Sequence, residues 1–139
     1  ILLAGQANVH KRDHDGYTPL HYAAMNGDTC CIRLLIEAGS SLDDASRTEC
    51  TPLHLAAAEG NYDAVVMLVE QGADVNAVSD GGWRPLHMAA LNGDAGVGRV
   101  LIESGADIKA QLKTGRTASD IASEKHHAAF IEMLRNIKR

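Results

Sequence analysis

The sequence predicts an all-α solenoid of stacked helix-turn-helix units joined by β-hairpin-like loops. Three observations predict it. The tetrapeptide Thr18-Pro19-Leu20-His21 returns as Thr51-Pro52-Leu53-His54 and Arg84-Pro85-Leu86-His87, and in degraded form as Thr117-Ala118-Ser119-Asp120, at an unvarying step of 33 residues. Behind each tetrapeptide lie two short stretches with helical apolar spacing, and in the first three units each stretch closes on a glycine. A constant step without insertion marks a stacked repeat, in which each unit buries its apolar face only against its neighbours. Function is then to be sought on a surface rather than in a pocket.

Each tetrapeptide reads as a helix start. Thr18 can accept from the unpaired backbone N–H groups of a first helical turn, and Pro19 suits the next position because its missing N–H costs nothing there. Leu20, Ala23 and Ala24 follow, then Gly27, a residue that ends helices in the left-handed conformation. The same order reads Leu53, Ala56, Ala57, Gly60, and then Leu86, Ala89, Ala90, Gly93. Small alanines let neighbouring helices approach closely. A second helix follows each glycine. Its apolar face is Cys31, Ile32, Leu34, Leu35, Ile36 in the first unit, Ala64, Val65, Met67, Leu68, Val69 in the second, and Val97, Val100, Leu101, Ile102 in the third. These helices stop at Gly39, Gly72 and Gly105, after which the chain turns extended, as in Gly72-Ala73-Asp74-Val75-Asn76-Ala77. Gly96 and Gly98 lie within the third of these helices and are expected to weaken it by roughly 1 kcal/mol each against alanine.

The segment Thr51-Pro52-Leu53-His54-Leu55-Ala56-Ala57, with Gly60 and the run from Gly72 to Ala77, resembles the ankyrin-repeat family nearly residue for residue. The resemblance implies one domain over 1–139: a partial repeat at 1–12, repeats at 13–45, 46–78 and 79–111, and a C-terminal capping repeat at 112–139. Departures are Arg84 in place of the capping threonine, and Ser46-Arg47-Thr48-Glu49 in place of the usual Asp and Gly before a hairpin. Ile1-Leu2-Leu3 reads as the tail of an outer helix and the chain does not begin with Met, so a fragment with further repeats upstream is expected. In the last unit Asp120 replaces the repeat histidine, as suits a terminal repeat that covers the end of a stack.

Composition bounds the function. Hydrophobic residues make up 45% but aromatics only 4%, so the interior must be Leu, Ala, Val and Ile. No apolar run approaches the roughly 18 residues of a membrane span, and membrane insertion is not expected. Cys30, Cys31 and Cys50 are odd in number and have no disulfide or zinc spacing, which points to a reducing compartment, cytoplasm or nucleus. Residues 1–108 carry a net charge of −9 and residues 109–139 a net +4. A solvated closing helix explains the basic end most simply; a dipole that orients a partner is the sharper alternative. The overall charge of −5 argues against a nucleic-acid partner.

The chemistry-bearing residues argue for structure over catalysis. His21, His54 and His87 fall in one column, each placed to tie its loop to the adjacent repeat. Layers about 10 Å apart cannot share one metal ion. His126-His127 is a poor ligand pair, since adjacent helical residues point apart; His126 stands where earlier units have glycine, a site that favours positive φ. The cysteines lack a partnering base, Gly81-Gly82 reads as a hairpin turn, and no phosphate loop, HExxH or paired carboxylates occur. No enzyme activity, metal or cofactor is expected.

A binding surface remains. The resemblance implies that the variable residues before each tetrapeptide and at the end of each inner helix line a concave groove for a partner protein. Tyr17, Met25, Asn26, Arg47, Cys50, Glu59, Asp80, Trp83, Leu91, Asn92 and Arg116 are the expected contacts, with Trp83, the single tryptophan, at the centre. A monomer is expected. The alternative keeps the fold and makes the chain a regulatory or targeting part of a larger enzyme or channel. Asn76, eight residues after Leu68 and following Asp74-Val75, resembles ankyrin asparagines that an oxygen-dependent hydroxylase modifies; a hairpin-closing role is the simpler reading.

Overall fold

The computed structural model describes residues 12–137, leaving the expected partial repeat outside the described residues but for Arg12. Eight helices follow in order: α1 (Pro19–Asn26), α2 (Thr29–Glu37), α3 (Pro52–Glu59), α4 (Tyr62–Glu70), α5 (Pro85–Asn92), α6 (Ala95–Glu103), α7 (Ala118–Glu124) and α8 (Ala128–Ile137), with one 3-10 turn at Asp80–Gly82. Odd-numbered helices pack in one row and even-numbered helices in a second, and each pair also packs across the two rows.

The helix starts form as the residues dictate. Thr18 sits extended at φ −93°, its backbone N–H donates to His21 Nδ1 at 2.9 Å, and its hydroxyl lies 2.9 Å from the same nitrogen. Thr51 repeats this with His54 at 3.0 Å, and in α7 Asp120 takes the place of histidine, accepting from Thr117 N–H. The histidine thus does what a glutamate does in a capping box, reaching back to the N-cap amide. Arg84 supplies no capping hydroxyl, yet Arg84 N–H still donates to His87 Nδ1 at 3.1 Å, so half of the device survives the substitution. Gly27, Gly60 and Gly93 close the inner helices at φ of 73°, 70° and 79°, and His126 takes the equivalent place at φ 60°, as its position in the repeat foretold.

The core runs between the two rows. Leu20, Ile32, Leu53, Leu68, Leu101, Ile121 and Phe130 are fully buried, and the paired alanines Ala56–Ala57 and Ala89–Ala90 seat the inner helices against one another without exposed surface. Removing about 150–250 Å² of a side chain such as Phe130 from water contributes several kcal/mol, which lets a stack with few aromatics hold together.

One expectation needs correction. Gly98 is not a defect in α6: it is buried, and a Cβ there would stand 2.6 Å from the Phe130 ring and 2.7 Å from Met133 Cε. The missing side chain makes room for the largest core residue of the closing unit. Gly96 is different, since it is exposed and an added Cβ would meet nothing closer than 3.4 Å. The loops hold no β-strand among the described residues, but each tip closes on itself as a hairpin does: Asp13 N–H donates to Tyr17 C=O at 3.0 Å, Ser46 N–H to Cys50 C=O at 2.9 Å, Ser79 N–H to Trp83 C=O at 2.7 Å and Leu112 N–H to Arg116 C=O at 2.8 Å. Successive tips are joined by single backbone bonds, Arg47 N–H to Asp15 C=O, Asp80 N–H to Thr48 C=O and Lys113 N–H to Gly81 C=O, at 2.9–3.0 Å. One bond per junction is too sparse for a ladder.

Candidate partner-binding groove

The loop tips are shaped by small polar residues. In the first tip Asp13 Oδ1 accepts from Asp15 and Tyr17 N–H at 2.9 and 3.0 Å; in the second the Ser46 hydroxyl accepts from Thr48 and Cys50 N–H at 3.3 and 3.2 Å, so serine substitutes for aspartate. Glycine occupies the left-handed position of three tips, Gly16, Gly82 and Gly115, whereas the second tip has Glu49 there at φ 67°. A residue with a Cβ in this region is strained, by about 1–2 kcal/mol.

A column of buried imidazoles bonds one unit to the next. His21 Nε2 donates to Cys50 C=O at 2.8 Å, His54 Nε2 to Trp83 C=O at 2.9 Å, and His87 Nε2 to Ala110 C=O at 3.0 Å. The tautomer follows from the geometry: Nδ1 accepts a backbone N–H, so the proton resides on Nε2. Both ring nitrogens are therefore engaged, leaving no lone pair for a metal. Burial pushes all three below the ordinary histidine value, opposed only in part by the carbonyls they face. Among the described residues no group of three His, Cys, Asp or Glu is placed to hold a metal ion.

The expected contact residues fall into two facing columns. Arg116, ahead of α7, forms an ion pair with Glu124 at its end, spanning the face from tip to inner helix. The register of 33 makes Arg116 the counterpart of Tyr17, Cys50 and Trp83, and Glu124 the counterpart of Met25, Ala58 and Leu91. The same face that carries an ion pair in the fourth unit thus carries Tyr17 with Met25, Cys50 with Ala58, and Trp83 with Leu91 in the first three. Leu91 is 40% exposed; Tyr17, Met25, Cys50 and Trp83 are half-buried. The Trp83 indole lies against Gly81 and meets His87 edge-on at 6.1 Å, and Tyr17 meets Tyr22 edge-on at 5.5 Å. Trp83 is therefore held by its own tip while one side of it stays open.

Asn26, Arg47, Glu59, Asp80 and Asn92 are exposed around these columns, with Asn92 leaning over Gly60 of the preceding unit. Glu124 engages the Arg116 guanidinium on the same face. Asn76 stands outside the groove and clamps two loops: its amide donates to Gly105 C=O at 3.0 Å and its carbonyl oxygen accepts from Asp107 N–H at 2.9 Å.

A second set of ties was not read from the sequence. Asn61 Nδ2 donates to Ala24 and Met25 C=O at 3.0 and 2.8 Å, satisfying the open end of α1, and His127 Nε2 donates to Leu91 C=O at 3.1 Å. Asn61 stacks on Gly27 and His127 on Gly93, so the glycine of one unit receives the side chain that opens the next outer helix. The shared register of 61 and 127, two steps of 33 apart, was the signal available.

Comparison with known proteins agrees with this geometry. The family model for ankyrin repeats in three copies matches residues 1–79, and that for ankyrin repeats in many copies matches residues 68–122. Caskin-1 of Rattus norvegicus and Caskin-1 of Mus musculus are each 50% identical over 36 residues, which is 26% of this chain and 2% of either relative. The chain thus spans a small part of the length of the curated relatives it matches.

Proposed function

Because the chain belongs to the ankyrin-repeat family, we propose that it is a non-enzymatic interaction module holding a partner protein in the groove between its loop tips and inner helices. One observation carries the reading: the two facing columns are apolar in three consecutive units and closed by an ion pair in the fourth. A continuous strip of half-buried aromatic, sulfur-bearing and aliphatic side chains with a polar surround has the composition of an interface core and rim. The tip holds Trp83 in one orientation, so little side-chain entropy remains to be lost on binding. Asn26, Arg47, Glu59, Asp80 and Asn92 then act as the rim. The chain acts as a monomer in a reducing compartment, a placement supported by three cysteines that are all unpaired. The same face would serve if the module regulates or targets a larger enzyme or channel.

Site-specific photo-crosslinking tests the reading. A photoreactive residue at Leu91 should trap the partner from native lysate, whereas one at Leu34 on the outer row, which is 43% exposed, should not. Capture from Leu34 alone would place the partner on the opposite face.

A further inference from the structure

The charges around this groove are segregated along its length. At the tip residues and the last two inner-helix positions, the first three units carry net charges of −2, −1 and −1, from Asp13, Asp15, Glu49, Glu59 and Asp80 set against Arg47. The equivalent positions of the fourth unit carry +2, from Lys113, Arg116 and Lys125 set against Glu124. The backbone bonds that join tip to tip fix the order, so that the Asp15, Thr48–Glu49, Asp80–Gly81 and Lys113 stretches follow one another along one rim. Asp15, Glu49, Glu59 and Asp80 are exposed at one end of that order, and Lys113 and Lys125 at the other. Arg116 is neutralised by Glu124, which among the described residues leaves Lys113 and Lys125 as the positive charges of the closing unit's face outside an ion pair. The Trp83–Leu91 pair lies between the two ends.

An apolar strip with opposite signs at its ends complements an occupant with the reverse order. Exposed charges are screened beyond about 10 Å at ordinary ionic strength, so the two ends act separately and each attracts its own opposite. Such charges fix orientation and speed encounter more than they add affinity. A polyanion would be repelled along three of the four units. Building on the groove reading above, we propose that the occupant is a protein segment ordered by charge: a cationic end over the first two units, an apolar side chain against Trp83 and Leu91, and a carboxylate-bearing end over the closing unit.

The probe is a synthetic peptide with a lysine block, a Leu-Phe-Leu centre and a glutamate block, carrying a nitroxide label at one end or the other and titrated into the isotope-labelled full chain. The lysine-end label should broaden the amides of residues 13–17 and 47–50, and the glutamate-end label those of residues 113–116 and 125. Affinity should fall roughly tenfold from low to high salt, and a similar loss should follow Asp15→Lys combined with Glu59→Lys, two exposed changes that leave the fold intact. Broadening in the opposite order, or equal from both labels, with Trp83 and Leu91 still perturbed, overturns the charge order and leaves the groove standing. Perturbation confined to Leu34 and Tyr62 overturns both. The absence of saturable binding overturns the charge order.

Discussion

Gly98→Ala separates two accounts of one residue. Helix propensity alone makes alanine better than glycine in α6 by about 1 kcal/mol. Packing says the reverse: the new Cβ would stand 2.6 Å from Phe130 Cε2, 2.7 Å from Met133 Cε and 3.0 Å from Phe130 Cζ, against an ordinary carbon contact of about 3.5–4.0 Å. Met133 can swing its terminal methyl away. The Phe130 ring cannot move freely, because it is fully buried and must shift with α8. Overpacking of this kind costs about 1–3 kcal/mol and outweighs the propensity gain, so the net effect is a loss of up to about 2 kcal/mol, or up to about 7 °C in melting temperature for a chain of this length. Gly96→Ala, whose Cβ would meet Asp94 and the Tyr62 ring only at ordinary contact distances of 3.4–3.7 Å, should gain about 1 kcal/mol. Calorimetry on both single variants checks the pair, and Gly98→Ala with Phe130→Leu should recover part of the loss as a favourable coupling. A raised melting temperature for Gly98→Ala alone would refute the packing argument.

Three further outcomes follow from the same structure. The folded-state values of His21, His54 and His87 lie below 6.5, so the unfolded chain takes up protons first on acidification. Their contribution is then complete above about pH 6.5 and is lost as pH falls below it, by up to about 1.4 kcal/mol per histidine per pH unit. Urea unfolding at neutral pH and near pH 5 measures this, and equal stabilities would contradict it. Glu49→Gly should stabilise by about 0.5–1 kcal/mol, as left-handed strain is relieved and partly offset by greater freedom in the unfolded chain; a loss in thermal unfolding would mean the Glu49 side chain holds the tip. Asn76→Ala removes two bonds between loops and should cost about 1–2 kcal/mol, with faster amide exchange at Asp107; unchanged exchange there would show the clamp to be idle.

What the sequence disclosed was whatever depended on local chemistry repeated at a fixed interval. Thr18, Pro19 and His21 state a helix start in three residues, and the step of 33 carries that statement through the chain. The positive φ of His126 and the burial of Leu53 and Leu68 followed from the same register. Gly98 was misread because propensity is a property of one residue, whereas the reason for its glycine is Phe130, 32 residues later. The ties made by Asn61 and His127 were hidden for a related cause: different side chains at one register position do the same work by reaching back a full unit. The ion pair of Arg116 with Glu124 was not legible in the register, because it depends on how far the tip folds over its helix.

The measurement closest to the central claim is the affinity of a captured partner for three variants, by titration calorimetry. Trp83→Ala should weaken binding by about 2 kcal/mol or more, roughly thirtyfold, with little change in melting temperature. Arg135→Ala on the exposed side of α8 should leave affinity unchanged. Tyr62→Ala on the outer row, where the ring is 49% exposed, should also leave it unchanged. Full affinity in Trp83→Ala together with lost affinity in Tyr62→Ala would contradict the account and move the partner to the outer helices.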